Sequence, residues 1–197
     1  AAREALVEQL RELRATIRAQ NPHYAALTQP QPLSLKEIQH LLDTDTVLLE
    51  YLLGKERSYL WVVTPTSLSS YELPARADIE SLARRVNDLF TRSSERAVRG
   101  PAQLAAAELS QLVLGPAANQ ITGKRLLIVS DGALQYVPFA ALPEPVVGGN
   151  GTSGSDRRNR TTALTTDHLP SLIVNHEIVS LPSASVLPLL RQETKAA

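Results

Sequence analysis

The chain of 197 residues has no cysteine and no methionine, and aromatic residues make up only 4% of it, with a single tryptophan. Without cysteine there are no disulfides and no thiol nucleophiles, so any thiol chemistry belongs to sequence outside this chain. Without methionine the chain does not begin at a start codon, and the expectation is a piece of something longer. The C-terminus points the same way, because VLPLLRQETKAA stops inside an amphipathic run with no glycine cap or turn signal. An excess of one charge is also missing: 20 Lys plus Arg balance 20 Asp plus Glu. Nothing chain-wide therefore favours nucleic acid or an anionic membrane as a partner. No run approaches the ~20 apolar residues of a bilayer-spanning helix, and AAREALVEQL opens with charges instead of a signal-peptide core. The expectation is a soluble, cytoplasmic protein.

What is present is ordinary globular material. The hydrophobic fraction is 43%, carried by Leu, Ala, Val and Ile, and a chain of this size buries roughly 70% of the surface it exposes when unfolded. That is one domain, or one plus an appendage. Leu6, Leu10, Leu13 and Ile17 recur at spacings of four, three and four, which predicts an amphipathic helix over 2–20. Its narrow seam needs a partner, either its own domain or a preceding helical array. The stretch NPHYAALTQPQP ends that helix, and Ser34 with Glu37 forms a capping-box signature that opens a short helix, SLKEIQHLL.

Three strand-like runs follow: TVLLEYLLG (46–54), SYLWVVT (58–64) and SLSSYEL (67–73). Their connections are too short for a crossover helix, which predicts an antiparallel meander. The nearly continuous apolar character of the first two predicts burial on both faces. Helices are expected over 77–94, with Leu82, Val86 and Leu89 on one face, and over 101–116, ended by Gly115-Pro116. RLLIVSDGALQYVPFAALP (125–143) reads as a strand, an Asp131-Gly132 reversal needing positive φ, and a second run that Pro138 confines to an edge or irregular segment. Residues 147–169, rich in Gly, Ser, Thr and Arg, read as a mobile loop open to proteases. SLIVNHEIVSLP (171–182) returns to a buried-strand pattern, and Ser183 or Ser185 starts a final helix.

Candidate chemistry is thin. GNGTSGS (149–155) lacks the lysine and the strand–helix setting of a phosphate loop. The Asn150 and Asn159 acceptor patterns arise by chance in such a loop without a secretion signal. No G-x-S-x-G elbow exists; Ser130 or Ser183 with Asp131 and His176 would have to assemble a triad by geometry alone, and a His in a strand pattern is ordinarily paired with a neighbouring polar group. His23, His40, His168 and His176 are too scattered for a zinc site. Trp61 reads as core, and Arg157, Arg158 and Arg160 as solubilising charges. The reading assigns no catalytic, cofactor-binding or metal-binding residue, and no cofactor.

Three separated stretches, LLEYLLGKERSYLWVVT, KRLLIVSDGALQYVPFAALP and HEIVSLPSASVLPLL, resemble the opening half of a CHAT domain, a caspase-like domain found after tetratricopeptide repeats. PHYAALTQPQPLSLKEIQHLL resembles the segment leading into it. The likeness spans about residues 22–192, interrupted by the Gly/Arg-rich loop, with Ser130 standing where Pro often precedes the Asp-Gly. The resemblance implies a cysteine peptidase related to caspases and separase, using a His-Cys dyad whose motifs follow the point where this chain ends. No catalytic residue is carried over, and His176 is not the missing one.

The resulting expectation is an α/β, caspase-like mixed sheet begun by the meander, flanked by helices 77–94 and 101–116, and completed by strands 125–130 and 172–181. Residues 1–21 form a connecting helix or the tail of a repeat array, and 22–197 the non-catalytic half of the domain. The expected partners are a C-terminal catalytic half and upstream helical repeats. A rival reading is a protein–protein interaction module, including self-association through helix 2–20.

Overall fold

The computed structural model describes residues 2–20, 32–92, 96–146, 170–189 and 191. Helix α1 runs Ala2–Gln20 and helix α2 Leu35–Leu41. The start of α2 is set locally: the Ser34 hydroxyl accepts from the Glu37 amide, and the Glu37 carboxylate accepts from the Ser34 amide at 2.7 Å, the reciprocal box expected from the sequence. Strands β1 (Thr46–Leu52), β2 (Ser58–Val63) and β3 (Leu68–Leu73) form the antiparallel meander. The first reversal depends on Gly54, where a Cβ would meet the Arg57 carbonyl oxygen at 2.2 Å.

Helices α3 (Arg76–Thr91) and α4 (Arg96–Val113) then cross back, and β4 (Arg125–Val129) enters parallel to β1. Between them lie a 3-10 turn at Gly115–Ala117 and the single-turn helix α5, Ala118–Ile121. Strand β5 (Ile178–Leu181) adds parallel to β4, giving a five-stranded mixed sheet in the order β3-β2-β1-β4-β5. The chain is thus a mixed α/β structure with helices flanking its sheet.

Alternation along the strands splits the core in two. Val47, Leu49, Tyr51 and Leu53 of β1 and its extension join Leu60, Val62, Leu126 and Ile128 beneath Ile79, Ala83 and Val86 of α3 and Ala105, Ala106 and Leu109 of α4. Each fully buried aliphatic side chain here stabilises the fold by about 2 kcal/mol relative to exposure. Tyr51 carries a hydroxyl into this layer. Its hydroxyl donates to the Val113 carbonyl at 3.0 Å, its ring tilts against Phe139 at 5.9 Å, and burial pushes its pKa up. On the opposite face Leu48, Val63, Leu127, Val129 and Leu181 pack with Leu42, Ala184, Val186 and Leu187.

Four expectations need correction. Strands β1 and β2 are buried on both faces only in part, over Thr46–Leu49 and Val62–Val63: Leu52 is 49% exposed, and Tyr59 and Trp61 are half-buried. The second cover, α2 and residues 184–187, reaches only the rows of Leu48 and Val129. Trp61 is therefore not an interior core residue but stacks on Tyr59, rings 6.1 Å apart, on a partly open face. Helix α4 begins at Arg96, which places Pro101 inside it, where proline supplies no amide donor and its ring crowds the carbonyl four residues back.

The expected strand over 172–181 shrinks to the four residues Ile178–Leu181. Leu172–Val174 is a 3-10 turn with Ile173 and Val174 exposed. The Leu172 amide is taken by the Leu142 carbonyl at 2.8 Å, and the Asn175 and His176 amides turn back onto the Leu172 carbonyl, so these residues cannot join a ladder. The run after Gly132 is irregular, as Pro138 implied, folded into 3-10 turns at Gly132–Tyr136 and Phe139–Ala141. Ser183 caps the turn at Ala184–Val186 by accepting from the Ser185 amide. The stretch at 147–169, with Asn150, Arg157, Arg158, Asn159, Arg160 and His168, lies outside the described residues, as does His23.

Candidate functional site

In open α/β sheets ligands collect beyond the carboxyl ends of parallel strands. Here that position is occupied by the protein's own side chains. The amide of Leu53, just past β1, donates to an Asp131 carboxylate oxygen at 2.9 Å. The Leu53 carbonyl accepts from Arg76 Nε at 3.0 Å and Nη2 at 2.7 Å, and the same Nη2 reaches Asp131 at 3.0 Å. Arg76 Nη1 pairs with Glu80 at 3.2 Å, and the Arg76 amide donates to the Gly54 carbonyl at 2.8 Å. One guanidinium and one carboxylate thus fasten the ends of β1 and β4 to the start of α3.

Gly132 completes this clasp. Its φ is +56°, the left-handed conformation that L side chains rarely adopt, and a Cβ there would stand 2.5 Å from the Glu80 carboxylate. The positive φ expected of the Asp131-Gly132 pair is present. It serves to bring the chain under Arg76, and no hairpin follows.

His176 lies at the other end of β4. Its side chain is 1% exposed, with Nδ1 2.7 Å from the Lys124 carbonyl and Nε2 3.0 Å from the Glu144 carboxylate. Both partners are acceptors, so two ring hydrogen bonds require a proton on each nitrogen or one on Glu144. Asn175 also donates to Glu144, at 3.3 Å. The histidine thus ties the segment before β5 to residue 144, a structural role.

The imagined triad does not assemble. His176 contacts Lys124 before β4, whereas Ser130 and Asp131 follow its last residue, which puts roughly 20 Å of extended strand between them. Asp131 is committed to Leu53 and Arg76, and Ser183 to its cap. His40 is exposed in the last turn of α2. Among the described residues no group of three or more His, Asp or Glu side chains could hold a metal ion.

An open cleft of about 380 Å³ lies at the amino ends of β1 and β4, lined by Asp43, Asp45, Lys124, Arg125, Asn175 and Glu177. Its charges are matched to one another. Arg125 bonds Glu177 at 2.6 Å and lies 3.7 Å from Asp43; Arg191 reaches Asp43 at 3.1 Å, and Lys124 reaches Asp45 at 3.5 Å. The Thr46 hydroxyl, then Arg191, holds the Asp43 carboxyl below its ordinary range, and Glu177 raises Arg125. These ion pairs order the lower edge of the sheet and leave no uncompensated charge for a ligand.

Glu50 is the contrasting group. It sits mid-strand in β1 opposite Trp61, half-buried, and burial alone raises its pKa. Sequence reasoning missed Glu50, Arg76 and Glu144. The first two carry a signal: a lone carboxylate inside an apolar strand, and an arginine in the first turn of a helix, where the macrodipole disfavours cations. Glu144 carries none.

No family model matches the chain, and a search of curated proteins returns no match. Among the described residues no helix is long and apolar enough to cross a membrane.

Proposed function

We propose that this chain is the non-catalytic half of a CHAT-type, caspase-like cysteine peptidase, bracing a catalytic half that supplies the His and Cys and transmitting signals from upstream helical repeats. The observation that carries the reading is the outer edge of β5. The parallel part of the sheet, β1-β4-β5, ends on a strand whose far side is unpaired among the described residues. Parallel strands are normally interior, and an open edge of this kind accepts a further strand. KRLLIVSDGALQYVPFAALP, which carries much of the family likeness, forms β4 and the Asp131 clasp, consistent with a supporting role. With no cysteine, the chain by itself is inert as a thiol peptidase. The reading includes a cytoplasmic location.

The parent coding sequence tests it directly. A His next to a Gly and a downstream Cys motif are expected within about one domain length, ~200 residues, after Ala197. Their absence overturns the proposal. If they are present, co-expression should yield a soluble complex of the two halves with peptidase activity that the Cys variant lacks. A second reading, an interaction module without peptidase activity, is favoured by the exposed seam of α1, where Leu6 is 70% and Leu13 57% exposed.

A further inference from the structure

Among the described residues two largely apolar surfaces stand uncovered. The first is the upper part of the β1-β2-β3 face. The register places Glu50 opposite Trp61, which faces Ser70, and Leu52 opposite Tyr59, which faces Glu72; Leu68 lies at the lower end of the same face, opposite Val63. Leu52 and Leu68 are each 49% exposed, Tyr59 stacks on Trp61, and the Glu50 carboxylate makes no hydrogen bond or ion pair among the described residues. A half-desolvated carboxylate without a partner, set beside two aromatic rings, is a site for a cation carried on an apolar element.

The second surface is the seam of α1. Leu6, Val7, Leu10 and Leu13 are 70%, 42%, 46% and 57% exposed. By helical spacing Arg3 falls one turn before Leu6 and Val7, and Arg14 one turn after Leu10, so the stripe has an arginine toward each end. A free helix of this length is marginal in water and gains its stability by burying such a stripe. The dimensions agree. Leu6 to Leu13 rises about 10 Å along the helix, while the open face extends roughly 10 Å across its three strands.

We propose that α1 of a second copy docks on this face, its leucines over Leu52, Tyr59, Trp61 and Leu68 and one of its arginines on Glu50, each copy doing so to the other. Among the described residues of one copy both surfaces stand exposed, so α1 does not cover its own face. Reciprocal exchange uses the same contact twice around a two-fold axis. That doubling brings a single-helix footprint into the range of stable dimers, about 1,200–2,000 Å². The proposal stands independently of the peptidase reading.

Trp61 is the only tryptophan and lies in the face, so its emission reports docking. The full chain is measured by sedimentation equilibrium and tryptophan fluorescence over micromolar to hundreds-of-micromolar concentrations. The expected result is a monomer–dimer equilibrium with a blue shift of Trp61 emission that follows the dimer fraction. Leu10→Asp, a change at a solvated position that leaves the sheet intact, should weaken the dimer by more than ~10-fold and hold the emission at its dilute value. Glu50→Arg should weaken it similarly, and mixing it with the Arg3→Glu, Arg14→Glu chain should restore heterodimer. A monomer at every concentration overturns the proposal, as does a dimer unaffected by Leu10→Asp. So does an emission shift that Leu10→Asp abolishes but dilution does not, because that result puts α1 on its own face.

Discussion

Replacing Asp131 separates the two tasks of its carboxylate. In Asp131→Ala the Leu53 amide, in a residue only 3% exposed, loses its acceptor. An orphaned buried donor costs about 1–3 kcal/mol. The ion pair to Arg76 goes too, but its side chains are 41% and 32% exposed, so solvent screening limits that loss to below about 1 kcal/mol. The sum is roughly 1–4 kcal/mol, at about 2–4 °C of melting temperature per kcal/mol for a chain of this size. Asp131→Asn keeps an amide oxygen for Leu53 and loses only the charge, so it should cost under about 1 kcal/mol. Urea unfolding followed by far-UV circular dichroism, with an unchanged slope against denaturant, measures both. Equal losses in the two variants would mean that the ion pair, and not the Leu53 amide, matters. An Ala variant within about 0.5 kcal/mol of the parent would refute the clasp altogether.

Gly132→Ala should destabilise by about 2 kcal/mol, through the left-handed φ and displacement of Glu80, and thermal melts of the single variant and of Gly132→Ala with Glu80→Ala should show partial relief in the double. His176→Ala should lower stability by about 1–3 kcal/mol by leaving the Lys124 carbonyl without its side-chain partner and the Glu144 carboxylate with Asn175 alone, read by urea unfolding; a neutral result would deny the histidine its structural role. Glu50 carries a sign that pH can test. Its folded pKa is raised, so its charged form is disfavoured in the fold and its contribution worsens as pH rises through the carboxylate range. Glu50→Gln, measured at dilution, should therefore be a few tenths of a kcal/mol more stable than the parent at neutral pH after allowance for solvent screening, with the gain vanishing below about pH 4.

What could be read in advance was what neighbouring residues decide. The Ser34–Glu37 box and the Ser183 cap close within a few residues, and the meander follows from short turns between β-rich runs. The clasp could not be read, because Arg76 and Asp131 are 55 residues apart and only the parallel pairing of β1 with β4 brings them together. LIVNHE looked like strand because apolar content does not reveal that the Leu172 amide is already taken by Leu142. The open face escaped notice for a related reason. Trp61 and Leu52 are apolar whether or not a helix lies over them, and only Glu50 between them departs from a core pattern.

The contacts around residues 143 and 171 have a consequence for length. Pro143 bridges Ser171, the Glu144 amide donates to the Pro170 carbonyl at 2.9 Å, and the Leu172 amide donates to Leu142 at 2.8 Å. The Ser110 hydroxyl holds the Pro143 carbonyl at 2.6 Å, anchoring this junction to α4. Residues 142–144 and 170–172 are therefore pinned together by contacts of their own, whatever the number of residues between them. Doubling the excursion costs only about 0.6 kcal/mol of closure entropy. Changing the number of residues between 146 and 170 is therefore expected to leave the register of β4 and β5 unchanged.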